Sequence, residues 1–108
     1  MNVFFSGSKL ARECATEKSM RRAFGNERAT KIALRLQHFR NVDSLEELRN
    51  FPGKYHELTG DRKGSLAVSL DGPYRLIFRP DVWVEDSDGR LDWSRVTAVV
   101  IDSITDYH

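Results

Sequence analysis

At 108 residues, 31% charged and 40% hydrophobic, the chain reads as a single domain, residues 1–108, with enough apolar material for one core without metals or disulfides. One cysteine, Cys14, excludes a disulfide framework and a thiolate metal cluster, and it suits a reducing cytoplasm. A net charge of +1 excludes a uniformly basic nucleic-acid binder, yet the charge is uneven: residues 1–63 hold thirteen Lys/Arg against eight Asp/Glu, and residues 64–108 hold four against eight. The basic first part is compatible with phosphate binding.

Val3-Phe4-Phe5 reads as a short first strand. It is far too short for a signal peptide's apolar region or a membrane span, so a cytoplasmic protein with no membrane partner is expected. Ser6-Gly7-Ser8 turns into a helix start, and residues 9–24 favour helix weakly, with Leu10, Cys14 and Phe24 as a loose inward stripe. Gly25 breaks the pattern and Asn26 can cap a second helix. From 27 to 40, Ala29, Ile32, Ala33, Leu36 and Phe39 recur at helical spacing, and Arg28, Lys31 and Arg35 are placed on the other, solvent side. Two helices separated by so short a break suggest an antiparallel pair packed on a sheet. The exposed basic side of the second helix would then offer a surface to an acidic partner.

Ser44-Leu-Glu-Glu47 matches a capping box and starts a short helical turn through Leu48, ended by Pro52-Gly53. Next comes Lys54-Tyr-His-Glu-Leu-Thr-Gly-Asp-Arg-Lys-Gly64, which sets His56 among Lys54, Arg62 and Lys63. An imidazole exchanges protons near neutral pH, and neighbouring cations can hold an anionic substrate. Ser65 to Leu70 and Tyr74 to Arg79 alternate as strands around the turn Asp71-Gly72-Pro73, with Leu66, Val68, Leu70, Leu76 and Phe78 on one face and Arg75, Ile77 and Arg79 on the other. Pro80 ends this hairpin, expected to be apolar on one side. Residues 81–95, acidic around Gly89, read as an exposed connection that Trp83 and Trp93 pin to the sheet. Val96 to Ile104 is β-branched and nearly continuous, the mark of a central strand buried on both faces. It leads to Asp106-Tyr107-His108.

The run Pro52 to Gly64, the segment Leu-Asp-Gly-Pro-Tyr-Arg-Leu-Ile-Phe78 and the final Asp-Tyr-His108 together resemble the HigB toxins of the RelE/ParE superfamily. The resemblance implies an α+β, RelE-like fold: an N-terminal strand, two antiparallel helices, then a mainly antiparallel sheet of about four to five strands. It implies a ribosome-dependent mRNA endonuclease working in the ribosomal A site, needing no cofactor or metal, and silenced by a helix-turn-helix, HigA-like antitoxin. Carried over residue by residue, it assigns catalysis to His56, Arg75, Asp106, Tyr107 and His108. Substrate binding falls to Arg62 and Lys63 of the basic turn, with Lys54 beside them.

Elementary chemistry agrees with that assignment. Metal-free RNA cleavage needs a 2′-hydroxyl to lose its proton, a pentavalent phosphate to be stabilised and a leaving oxygen to be protonated. Two imidazoles can share the proton transfers at neutral pH, and Arg75 with Lys54, Arg62 or Lys63 can neutralise the phosphorane. Tyr107 can stack on a base or bond the phosphate, and Asp106 can orient a histidine or act as the base. Which histidine is base and which acid stays open here. The alternative is a non-catalytic, ParE-like inhibitor that binds DNA gyrase, which would have no use for paired proton donors.

Overall fold

The structure, a computed structural model, describes residues 1–106. Five strands form one sheet: β1 (Asn2–Phe5), β2 (His56–Glu57), β3 (Leu66–Ser69), β4 (Tyr74–Pro80) and β5 (Ala98–Asp106), in the order β1-β5-β4-β3-β2. β1 runs parallel to β5; the other pairs are antiparallel. The expected α+β architecture is therefore the observed one. β5 lies between β1 and β4 and buries Val99, Val100 and Ile101, as its unbroken β-branched run requires. A register shift opposite Ile77/Phe78 inserts Asp102 as a bulge.

The helical layer differs from expectation in one respect. Residues 9–24 form two helices, α1 (Ser8–Glu13) and α2 (Glu17–Phe24), followed by α3 (Asn26–Asn41). The break comes at Thr16, whose hydroxyl accepts from the Ser19 amide while the Ser19 side chain accepts from the Thr16 amide. That reciprocal cap is a Ser/Thr variant of the capping box, and its local bonds win over a weak apolar stripe. Gly25, at φ 82°, then separates α2 from α3.

α3 is the element on which the core is built. Ile32, Leu36 and Phe39 pack under the sheet against Leu66, Val68, Leu76 and Phe78. The Phe39 ring meets Phe78 at 4.8 Å and Tyr55 at 5.6 Å, both edge to face, a preferred aromatic geometry. The 3₁₀ turn Leu45–Leu48 adds two fully buried leucines, and its capping box forms as expected.

Two side-chain assignments are corrected. Arg35 is not on the solvent side of α3 but is buried, 5% exposed. Arg28 forms a bidentate pair with Asp71, at 3.1 and 3.2 Å, and lies 3.3 Å from the centre of the Tyr74 ring. The basic face expected on α3 is thus largely consumed by the protein's own contacts. The β3–β4 hairpin is also apolar on both sides at its middle: Ile77, Ala67 and Leu58 form a second small cluster on the face away from the helices. Among the described residues, no helix is long and apolar enough to cross a membrane.

Candidate active site

The sheet has a helix-covered face and an open face, and strand alternation decides which residues share the open one. His56 pairs with Ala67, Ala67 with Ile77, and Ile77 with Ser103, so these four point to the same side. Two residues further along, Ser69 pairs with Arg75 and Arg75 with Thr105, on that side again. His56 and Arg75 therefore share the open face, two strands and two residues apart, about 12 Å between backbones from ideal sheet spacing.

His56 is exposed and its ring is oriented. Nδ1 lies 2.7 Å from the carbonyl oxygen of Lys54. A carbonyl only accepts, so Nδ1 carries the proton and donates, and in the neutral ring the lone pair sits on Nε2. Lys54 aims its carbonyl by adopting φ 59°, the one non-glycine residue at positive φ among those described. This is a sparsely populated conformation for a residue with a β-carbon. Tyr55, between the two, is buried against Phe39 and Phe78, which turns Lys54 and His56 outward.

Among the described residues, Arg75 donates from Nη1 to the carbonyls of Gly72 at 3.0 Å and Tyr74 at 2.9 Å. The guanidinium thus rests over the β3–β4 turn. Arg62 ends a 3₁₀ turn, Gly60–Arg62, and Lys63 follows it; both are exposed, as is Lys54. Lys63 lines a cavity of about 590 Å³ with Leu58, Thr59, Trp83, Arg90 and Leu91. The structure does not bring Asp106 to the open face: its register partner is Tyr74, whose ring stacks under Arg28 of α3 on the helix side. Tyr107 and His108 lie outside the described residues.

The two tryptophans of the acidic connection part company. Trp93 is buried, donates from Nε1 to Glu57 at 3.0 Å and stacks under Arg49, so it pins the connection next to β2. Trp83 stays 44% exposed and donates to Glu85 within the same loop.

A second histidine lies behind the first. His38 Nδ1 and the Tyr55 hydroxyl are 3.2 Å apart. Burial lowers the His38 pKa, with help from the Arg35 cation, and burial raises that of Tyr55. Both groups are thus held neutral, and the Tyr55 hydroxyl and His38 Nδ1 share one hydrogen bond. Among the described residues no three His, Cys, Asp or Glu side chains converge as a metal set.

Two of the solved structures similar to this chain share its fold. One is a YoeB/ParE toxin from Agrobacterium tumefaciens, with a TM-score of 0.60 and 14% identity over the whole of both chains. This chain has the fold of that toxin. The other is a YoeB–YefM complex from Staphylococcus aureus, with a TM-score of 0.55 and 17% identity over all of this chain and 97% of that one. No protein-family model matches the sequence, and no curated protein matches it. The toxin fold is therefore shared without close sequence identity, and the site must be argued from its own residues.

Sequence reasoning missed Arg35 and Tyr55. A signal for Arg35 was present: position 35 is three after Ile32 and four before Phe39, at the edge of the apolar stripe of α3.

Proposed function

We propose that this chain is a ribosome-dependent mRNA endonuclease toxin of a type II toxin–antitoxin system. The observation that carries the reading is the Nδ1–Lys54 hydrogen bond, which leaves Nε2 as the basic atom of the neutral His56 ring, on the face that Arg75 shares. The toxin fold of the two similar structures supports it.

In the proposed reaction neutral His56 takes the 2′-hydroxyl proton at Nε2, and the 2′-oxygen attacks the adjacent phosphorus. A 2′,3′-cyclic phosphate forms as the bond to the 5′-oxygen breaks, and that oxygen takes a proton from a general acid. His108 is the residue proposed for the acid. Arg75, off its turn, would place Nε and Nη2 on the phosphorane, where charge develops. Lys54, Arg62 and Lys63 would hold flanking phosphates, and Tyr107 would stack on a base. No metal is assigned to the chemistry. The ribosomal A site would supply the positioning of mRNA that a chain of net charge +1 does not supply alone.

An antitoxin partner belongs to the same reading, and one of the similar structures is a toxin in complex, YoeB with YefM. A helix-turn-helix antitoxin of the HigA kind is the proposed form. Induction in cells tests the reading. Growth arrest with mRNA cut inside translated codons, lost in His56→Ala and His108→Ala, is the expected result. Arrest with intact mRNA would replace it with a ParE-like inhibitor acting on gyrase.

A further inference from the structure

Arg35 is an unusual core residue. It is buried, it cannot shed its charge, and among the described residues its partners are backbone carbonyls with no carboxylate. Nε donates to Ser69 at 2.9 Å and Nη1 to Pro52 at 3.1 Å. Burying an unpaired cation is costly unless its donors are well used, so the segments that those two bonds hold are of interest.

They hold the chain that leads into His56. Pro52 opens the turn Pro52-Gly53-Lys54, and Ser69 ends β3; the Ser69 amide also donates to the Gly53 carbonyl at 2.9 Å. The guanidinium is therefore a strap fixing this turn onto the end of β3. The fit is close: a β-carbon on Gly53 would lie 2.7 Å from the Arg35 guanidinium carbon and 2.7 Å from a Val68 methyl, and Gly53 sits at φ +109°. One residue on, Lys54 takes its left-handed conformation, and its carbonyl meets His56 Nδ1.

We propose that Arg35 is a positioning residue for His56, holding the Pro52–Lys54 turn in the one conformation that keeps the imidazole proton on Nδ1 and the lone pair on Nε2. Any consequence for RNA cleavage rests on the nuclease reading; the positioning does not. A group that fixes the tautomer of a histidine through a carbonyl acts as an orienter without touching substrate.

The test is nitrogen-15 NMR of the histidine rings in wild type, Arg35→Met and Gly53→Ala, on samples whose dispersed amide spectra show them folded. Arg35→Met removes both bonds with little loss of volume, and Gly53→Ala pushes the strap from the turn side, so either variant serves if the other fails to fold. In wild type, neutral His56 is expected to be protonated at Nδ1. In each folded variant it is expected to shift to the Nε2-protonated form, while His38, set by Tyr55, keeps its own tautomer. A wild-type His56 protonated at Nε2, or an Nδ1 proton retained in a folded variant, overturns the proposal. The readout needs no substrate, so failure of wild type to cleave mRNA would count against the nuclease reading alone.

Discussion

Tyr55 shows how one buried ring sets the reach of its neighbours. Its ring closes the aromatic contact with Phe39 and Phe78, and its hydroxyl shares a hydrogen bond with His38 Nδ1. Removing the hydroxyl keeps the ring, so Tyr55→Phe is expected to cost about 1 kcal/mol in urea melts, the usual net value of one hydrogen bond. It should leave the His56 ring signals in place and move those of His38. Cys14 gives a second test at this scale. Burial, with the Glu13 charge adding to it and Arg40 opposing it, pushes the thiol up to about 11. The thiolate is the reactive form, so alkylation of the folded protein at pH 8.5 should be slow and become fast on denaturation. Because the folded pKa is raised, the thiol's contribution to stability is complete below pH 9 and lost as pH climbs towards 11. Labelling as fast as that of a free thiol would contradict this account.

At the scale of elements, α3 carries the sheet, and Phe39 is its central contact, fully buried between two rings. Phe39→Ala is expected to destabilise by about 3–5 kcal/mol in equilibrium unfolding; a loss under about 1 kcal/mol would mean the core is organised elsewhere. Much of this layer was legible in the sequence. The i, i+3, i+4 stripe placed α3, the capping box placed the turn at Leu45–Leu48, and the β-branched run placed β5 between two other strands. Each feature that escaped has a physical reason. The split between α1 and α2 rests on a four-residue hydrogen-bond exchange at Thr16 and Ser19, which a weak stripe conceals. β2 is two residues long, too short to alternate visibly. Arg35 reads as a solvent residue because it is charged, although it borders the apolar stripe, and the Pro52 and Ser69 carbonyls are what accept its donors.

For the whole molecule, sequence and structure contribute different parts of the site. The motif around His56 pointed to a proton-transferring histidine beside cations, but it held no information on sheet register. Register puts His56 and Arg75 on one face, turns Asp106 to the other, and leaves Arg75 resting on its own turn. In the proposed reaction, proton transfer therefore depends on His56, with Arg75 recruited when a phosphate arrives. The most direct measurement is single-turnover cleavage of mRNA on purified ribosomes with an open A site, comparing wild type with His56→Ala. Wild type is predicted to leave 2′,3′-cyclic phosphate ends, and the variant to cleave about 10²–10⁴-fold more slowly, the range of a lost general base. Equal rates for the two proteins, or no cleavage by wild type, would contradict the account.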